Sequence, residues 1–202
     1  MLASKYYLIY KPYGMLSQFS KQQASDISLA DLPFDFPRDV YPVGRLDKDS
    51  EGLLLLSNDK KLTDRLLNPI HKHNRTYWVQ VEGIPDEKAL NMLQDGPRIR
   101  INKKDYFCKP LTAQRINEPH GLPERVPPVR FRKHIPTCWL QLRLTEGKNR
   151  QVRKMTAAIG HPTLRLVRSS IEDLSLIEMI PGSVCQLEEK VLYKQLKLDK
   201  IG

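Results

Sequence analysis

The sequence predicts an α+β protein with a mixed, largely antiparallel central sheet and flanking helices. Segments of strand length that are rich in β-formers or apolar residues outnumber the helical patterns. Strand–helix–strand units do not recur at even spacing, which disfavours a doubly wound parallel sheet. A chain of 202 residues fits one domain over 1–202, with room for two subdomains, and its 40% apolar residues suffice for a core.

The first predicted strands are defined by composition. Residues 6–10 consist of β-formers and end at turn residues 11–14. Residues 17–39 are polar and contain prolines, so we expect a loop with at most a short helix, followed by an extended stretch at 40–43. Residues 53–57 form a continuous apolar run, which is typical of a strand buried on both faces.

Helix and strand patterns follow in turn. Asn58 and Asp59 can cap a short helix over residues 60–67. Residues 77–82 are rich in β-formers, and residues 85–93 have a proline start and a Gly96 stop, as helices do.

Residues 97–136 differ from the rest in composition. They contain seven of the fifteen prolines and many Lys and Arg residues. We expect a strand pair formed by residues 98–101 and 111–116 and, beyond it, a long surface loop. Loops of this length in a compact domain are usually functional or mobile.

Regular structure resumes at residues 138–144, where apolar and polar side chains alternate as in a half-buried strand. Asn149 can cap a helix over residues 150–159. The remaining segments are strands at residues 163–167 and 174–177 and either a helix or a last strand at residues 187–198.

Charge and cysteine content narrow the classes of function. Lys and Arg exceed Asp and Glu by 33 to 23, a net charge of +10, which favours a polyanionic partner such as nucleic acid. The three cysteines are isolated, so neither a disulfide framework nor a zinc ribbon is expected. The longest apolar run, residues 53–56, is too short for a membrane span, and no signal-peptide layout is visible. We therefore expect a cytoplasmic monomer without membrane contact.

Motifs for several enzyme classes are absent from the sequence. It has no glycine-rich dinucleotide or P-loop motif, no HExxH and no GxSxG. His71 and His73 would lie on one face of a strand, but Asp or Cys partners at metal spacing are missing. We expect no metal, and a polar turn there.

A charged loop at residues 44–52 precedes the predicted buried strand. In an extended segment Arg45 and Asp47 point the same way and could form an ion pair. Loops that place charges at the end of a buried strand often form sites. Asp47 could equally be a turn cap or a partner in a surface salt bridge.

A second candidate site is the basic stretch at residues 146–155. Arg150, Arg153 and Lys154 share one face of a helix at spacing i, i+3 and i+4. Cations this close repel one another unless an anion lies between them, and a helix N-terminus adds positive charge. The alternative is an ordinary solvated basic face.

Four segments resemble a known family in their order along the chain. Residues 44–59 closely resemble the signature loop of the RsuA-type ribosomal RNA pseudouridine synthases. Residues 10–14, 75–83 and 144–155 are similar to the opening, second and third motifs of that catalytic domain. The resemblance runs over most of residues 7–177, and four ordered motifs are far more specific than one.

Two features favour one branch of the family. Only ten residues precede the Lys-Pro-x-Gly motif, so we expect no S4-type RNA-binding domain. Residues 125–137 and 163–168 are most similar to the RluE-like enzymes, which act on large-subunit ribosomal RNA. One departure is Glu172, which follows Ile171 where many relatives have glycine.

The resemblance implies a pseudouridine synthase fold with a catalytic cleft, in a single catalytic domain. It also implies isomerisation of a specific uridine in 23S ribosomal RNA, which is flipped out of its stack, without cofactor or metal. By motif position Asp47 is the catalytic aspartate, acting as nucleophile or as base at C2′. Arg153 is the cation that holds it ionised, and Tyr77 stacks on the uracil and exchanges protons at C5. Leu166 walls the pocket or is a core leucine, and Arg45 supports the loop or contacts a phosphate.

Further basic residues are expected to bind the RNA backbone. The predicted phosphate-binding residues are Arg130, Arg132, Lys133, Lys148, Arg150, Lys154, Arg165 and Arg168.

Two other classes of function share some of these features. A non-catalytic RNA-binding or ribosome-assembly protein on the same fold would share the basic surface but would not use an ionised Asp47. A glycoside-type hydrolase normally needs two carboxylates that flank the bond. Asp49 and Glu51 lie near Asp47 in sequence, but their spacing suits a polar loop as well.

Overall fold

The computed structural model describes residues 3–109, 111–130, 132–176 and 178–198. The strands are β1 (Tyr6–Lys11), β2 (Tyr41–Pro42), β3 (Glu51–Ser57), β4 (Arg75–Glu82), β5 (Arg98–Ile101), β6 (Lys104–Phe107), β7 (Thr112–Ile116), β8 (Thr137–Leu144), β9 (Thr163–Ile171), β10 (Leu174–Ser175) and β11 (Val184–Gln186). The helices are α1 (Lys60–Leu67), α2 (Glu87–Asp95), α3 (Gln151–Ala158) and α4 (Glu189–Gln195), with short 3-10 turns at Leu29–Asp31 and Pro69–His71. The predicted α+β class is confirmed.

The chain divides into two compact units. Unit 1 comprises Met1–His73 and Arg168–Gly202, and unit 2 comprises Asn74–Val167. Strand β9 contributes its last residues to unit 1 and its first residues to unit 2.

Unit 1 is built around the antiparallel pair β1 and β3, in which Leu8 faces Leu55. β11 pairs with the other edge of β1, and β2 pairs with β3, both antiparallel. The four leucines at 53–56 are at most 1% exposed, as the apolar run predicted. On one face the rings of Phe34 and Phe36 pack edge-on against Tyr7, at centroid distances of 5.3 and 5.5 Å.

Asp59 joins three elements of unit 1. Its Oδ1 accepts hydrogen bonds from the backbone N–H groups of Lys61 and Leu62, so it caps α1 as predicted. Its Oδ2 accepts from the hydroxyls of Tyr6 on β1 and Tyr193 on α4. Burial and this carboxylate raise the pKa of Tyr6 to about 12. The tail, for which the sequence left helix and strand open, is therefore a helix tied to the start of α1.

Unit 2 has β4 and β7 on either side of β8, both antiparallel to it. Tyr77 faces Leu142 across the first pair. Val79, Val81 and Leu140 are fully buried in a hydrophobic cluster to which α2 and α3 contribute. The strands predicted from β-rich composition thus form the core of this unit.

The predicted pairing of residues 98–101 with residues 111–116 is wrong. β5 pairs instead with β6, a strand that the sequence analysis missed, and β7 pairs with β8. Asn102 and Lys103 both have positive φ, at 49° and 65°, as a two-residue hairpin turn of type I′ requires. The usual Asn-Gly signal is absent there, which is why the hairpin was not predicted.

Two further local predictions need correction. Helix α3 begins at Gln151, and its N-cap residue is Arg150, with φ of 51° and no side-chain cap, instead of Asn149. His71 ends a 3-10 turn and Lys72 is left-handed, so His71 and His73 do not share a strand face. His73 is buried, and its ring nitrogens face the Arg65 carbonyl oxygen and the Glu172 carboxylate.

The family departure at Glu172 lies in the turn between β9 and β10. Its φ of 49° is one that glycine adopts more readily than a residue with a side chain. The Glu172 carboxylate has stabilising neighbours, because its oxygens lie 3.6 Å from both the Lys197 ammonium and the His73 ring nitrogen Nδ1. Of the strand predicted at 174–177, β10 covers Leu174–Ser175, and residue 177 lies outside the described residues.

The three cysteines are free. No helix in the described part of the chain is long and apolar enough to cross a bilayer.

Lys11, at the end of β1, is fully buried. Its Nζ donates to the carbonyl oxygens of Pro12 (2.9 Å) and Met15 (2.8 Å) and so closes the turn that follows β1. Burial lowers the pKa of Lys11 to about 7; nearby Glu51, Asp49 and Asp47 oppose this shift. A neutral amine still has the two hydrogens that these two bonds need.

Gly52, at the start of β3, lies against the backbone of Arg168. A Cβ built on Gly52 would come within 2.4 Å of the Arg168 carbonyl oxygen, and its φ is +110°. Only glycine allows this close approach of two backbones at the strand that follows the Asp47 loop.

Replacing Gly52 with alanine should lower the free energy of unfolding by about 2–4 kcal/mol, because overpacking and a positive φ each add a cost. Urea denaturation measures the change. Gly147→Ala is the matched control, since nothing lies within 4 Å of a Cβ there. Equal stabilities of the two variants would contradict the close approach at Gly52.

The lowered pKa of Lys11 should make stability depend on pH. Between its folded pKa near 7 and the unfolded value of about 10.4, the unfolded chain holds a proton that the folded chain has released. Stability therefore rises with pH in this window. Between pH 7 and pH 9 the free energy of unfolding of the wild type should rise by about 2 kcal/mol more than that of Lys11→Met. Lys60→Met, at an exposed lysine, should keep the wild-type slope; a wild-type slope in Lys11→Met would contradict the assignment.

Candidate active site

Asp47 lies in the loop between β2 and β3, at the end of the buried strand. The loop leaves β2 with a hydrogen bond from Val43 N–H to the Leu55 carbonyl oxygen (2.8 Å). It turns where Ser50 N–H donates to the Asp47 carbonyl oxygen (3.0 Å). The Asp47 side chain is half-buried. The sequence predicted such a carboxylate in the loop that precedes the buried strand β3.

Ser17 holds the residue that precedes Asp47. Its hydroxyl donates to the Leu46 carbonyl oxygen (2.8 Å) and accepts from the Leu46 N–H (3.0 Å). Ser17 is buried, so water does not compete for these bonds. On the other side of Asp47, Gly14 N–H donates to the Lys48 carbonyl oxygen (2.8 Å). The segment after β1 thus fixes the backbone on both sides of Asp47.

The two basic side chains that flank Asp47, Arg45 and Lys48, form bonds with other residues of unit 1. Lys48 forms an ion pair with Asp26, and this bond is the main cause of the lowered pKa of Asp26. The Arg45 guanidinium donates to Gln18 Oε1 (3.3 Å). The ion pair that the sequence suggested between Arg45 and Asp47 is therefore not formed, and Arg45 supports the loop through Gln18.

Arg165 and Arg168 do not extend an exposed basic surface as predicted. Arg168 is 6% exposed, and its Nε donates to the Leu53 carbonyl oxygen (2.8 Å) within unit 1. Arg165 is 4% exposed, and its Nη2 donates to the Pro123 carbonyl oxygen (2.9 Å) within unit 2. Both side chains stabilise backbone, because buried carbonyl groups need donors.

Tyr77 and Leu166 lie in the hydrophobic cluster of unit 2. Val152 and Met155 of α3 pack in the same cluster, and α3 also carries the half-buried Arg153. The burial of Leu166 fits both roles considered for it, core residue and pocket wall. Asp47 and Arg45 belong to unit 1, whereas Tyr77, Arg153 and Leu166 belong to unit 2.

Glu146 organises the basic loop before α3 and was missed by the sequence analysis. Its carboxylate accepts hydrogen bonds from Tyr106 hydroxyl, Lys109 N–H and Gln151 Nε2. Gln151 Oε1 in turn accepts from Lys148 N–H (2.9 Å). The bond to Glu146 is the main reason why the pKa of Tyr106 rises to about 12. The available signal was that Glu146 is the one acid among residues 141–168.

The other predicted RNA-binding residues are accessible. Lys148 and Arg150 are exposed before α3, and the Lys148 ammonium lies 5.3 Å from the centre of the Tyr106 ring. Lys154 is half-buried. Arg130, Arg132 and Lys133 are exposed, and Arg132 pairs with Glu82 (2.9 Å). Over the described ranges, no group of three His, Cys, Asp or Glu side chains could hold a metal ion.

Comparison with known proteins identifies the family of the chain. A family model described as RNA pseudouridylate synthase matches residues 5–158. The chain is 51% identical over 175 residues to a protein of Xanthomonas axonopodis pv. citri named ribosomal large subunit pseudouridine synthase E, covering 86% of this chain and 89% of that one. It is 49% identical over 173 residues to a Vibrio parahaemolyticus protein of the same name, covering 85% and 69%.

A solved structure titled "Crystal structure of pseudouridylate synthase" matches the fold with a TM-score of 0.77 and 24% identity, over 96% of this chain and 75% of that one. The resemblance found in four ordered motifs is thereby confirmed. Because the family model covers most of the chain and its relatives are this similar, the chain belongs to the RNA pseudouridylate synthase family.

Proposed function

We propose that this protein isomerises a specific uridine of large-subunit (23S) ribosomal RNA to pseudouridine, in the cytoplasm. The observation that carries the proposal is the Asp47 loop, whose backbone is held on both sides by Ser17 and Gly14. The names of the relatives from Xanthomonas and Vibrio support the large-subunit substrate.

In the proposed reaction Asp47 acts as an ionised carboxylate beside the ribose of the target uridine. Asp47 either attacks C1′ and is displaced when C5 later bonds there, or removes the proton from C2′ and returns it when C5 bonds to C1′. In both routes the bond from N1 to C1′ breaks. The uracil then turns so that C5 bonds to C1′, C5 loses its proton, and N1 gains one. The atoms balance within the nucleotide, so the step needs no co-substrate.

The family resemblance supports roles for two residues of unit 2. We assign Arg153 as the cation that keeps the reacting carboxylate ionised, since an isolated carboxylate in a dry pocket would take up a proton. We assign Tyr77 to stack on the uracil and to exchange the C5 proton. The ring of Tyr77 is held by the hydrophobic cluster of unit 2, which suits a stacking platform.

We assign six accessible cations to the RNA phosphates: Arg130, Arg132, Lys133, Lys148, Arg150 and Lys154. Their contacts would offset the few kcal/mol that flipping a base out of its stack costs. Arg165 and Arg168 contribute by shaping the backbone instead, since both are buried.

Asp47→Asn should reduce pseudouridine formation by roughly 10³-fold or more while leaving RNA binding intact. Ribosomal RNA from cells that lack the protein is incubated with each variant, and pseudouridine is mapped by chemical adducts and primer extension. Asp35→Asn makes the same change at an exposed carboxylate and should be fully active. Equal activity of Asp47→Asn and wild type would refute the role of Asp47. Binding without modification by wild type would favour a non-catalytic RNA-binding protein.

Ser17→Ala should lower kcat about 10- to 100-fold with little change in KM, because small misplacements of a catalytic group are costly. The loss of two buried hydrogen bonds should also cost about 1–3 kcal/mol of stability, so rates are measured well below the unfolding temperature. Ser25→Ala, at an exposed serine, serves as the control. A variant with normal kcat would show that Ser17 does not position Asp47.

A further inference from the structure

We propose that unit 2 carries a second nucleotide site, a basic pocket that binds one unpaired RNA nucleotide other than the target uridine. The proposal rests on the proposed function, since it takes RNA as the substrate. The pocket lies between β4, the start of β8 and the proline-rich loop of residues 123–130 and 132–136. We call this segment the arginine-pinned loop.

Two arginines hold the arginine-pinned loop in place. Arg125 donates through Nε to the Pro127 carbonyl oxygen (2.8 Å) and through Nη2 to that of Pro128 (3.0 Å). Its Nη1 donates to the Leu164 carbonyl oxygen on β9 (3.3 Å), and the buried Arg165 donates to that of Pro123. A loop ordered in this way loses little entropy on binding, so it suits a preformed site.

The pocket has the size and polarity of a small-ligand site. Its volume of about 420 Å³ lies within the range of about 300–1,000 Å³ that is usual for such sites. The lining includes the polar Gln80 and Glu82 of β4, the apolar Leu164, and Arg130, Lys133 and His134 of the loop. The volume suits one nucleotide and excludes a duplex.

The charges around the pocket favour a phosphate. Arg132 forms an ion pair with Glu82. Within the part of the chain that the structure describes, Arg130 and Lys133 have no acidic group within 4 Å. Two exposed cations beside a cavity can bind the phosphates on either side of an inserted nucleotide.

The residues inside the pocket can recognise a nucleobase. Leu164 and Ile135 offer apolar surface, and the His134 ring can stack on a nucleobase. The amide of Gln80, the carboxylate of Glu82 and the hydroxyl of Thr137 provide donors and acceptors for a base edge. Unpaired bases in RNA loops are recognised in this way, by stacking and by contacts to their edges.

This pocket is separate from the surface that Tyr77 offers. Tyr77 and Gln80 are three residues apart on β4, so their side chains point to opposite faces of the strand. Tyr77 packs in the hydrophobic cluster, whereas Gln80 and Glu82 line the pocket. The site therefore concerns which RNA is recognised rather than the isomerisation itself.

The test is an abasic scan of a short synthetic RNA centred on the uridine mapped by primer extension, or of the rRNA fragment bound most tightly if none is modified. Each nucleotide is replaced in turn by an abasic nucleotide, and the Kd of each RNA for the full chain is measured by fluorescence anisotropy. One position besides the target should lose at least about fivefold in affinity, as expected for a stacked base. In the pocket variant Gln80→Ala with His134→Ala, this penalty should shrink below about twofold at that position only.

Paired charge variants separate the pocket from general attraction. Arg130→Ala with Lys133→Ala should weaken binding at least about tenfold, whereas Lys190→Ala with Lys194→Ala, on exposed α4 lysines, should change it by less than about twofold. Equal losses in both pairs, or no nucleotide whose removal matters beyond the target, would overturn the proposal. The proposal would also be overturned if the protein bound polyglutamate through this pocket and no abasic substitution changed its affinity for RNA. The ligand of the pocket would then be an acidic protein segment.

Pseudouridine formation is scored separately from binding, so the two proposals can fail independently. Pseudouridine formed without any abasic effect would refute the pocket alone. An abasic effect that depends on Gln80 and His134 in a protein that forms no pseudouridine would refute the proposed reaction and leave the pocket standing.

Discussion

The hydrogen bonds between the segment after β1 and the Asp47 loop are the constraint on which the candidate site depends. One serine hydroxyl satisfies both backbone groups of Leu46, and Gly14 binds the carbonyl group of Lys48. Lys11 in turn closes the turn that brings Gly14 and Ser17 into place. A half-buried carboxylate can react with one atom of a large substrate only if its backbone does not move. The opening motif and the signature loop therefore work as one structural unit within unit 1.

Lys11 shows how burial and charge are balanced at this point. A permanently charged group inside β1 would be costly, because its hydration is lost on folding. The lowered pKa allows the amine to lose its proton while keeping both hydrogen bonds to carbonyl oxygens. The carboxylates of Glu51, Asp49 and Asp47 keep that pKa from falling further. The acids of the signature loop thus have a structural consequence besides the chemistry proposed for Asp47.

Local signals in the sequence predicted the regular elements well, and contacts between distant residues limited the rest. The bounds of α1 followed from Asp59, and the leucines correctly predicted the end of β3, although that strand begins two residues earlier than predicted. The β5–β6 hairpin was missed because its turn lacks the usual glycine. Ser17 and Leu46 are 29 residues apart, and Arg168 and Leu53 are 115 apart, so no local pattern indicates either contact. Their charge alone predicted that Arg165 and Arg168 lie on the surface. In the structure both are buried and donate hydrogen bonds to backbone carbonyl oxygens.

The same need for donors explains why prolines and arginines occur together in the arginine-pinned loop. Each proline contributes a carbonyl acceptor but no N–H, so a proline-rich segment has more acceptors than its own backbone can satisfy. An arginine has five N–H donors, and Arg125 alone bonds three carbonyl groups. Part of the basic composition of this segment therefore holds the backbone together. Arg130 and Lys133 of the same segment are exposed to solvent. Their positive charges are therefore available to bind a polyanion.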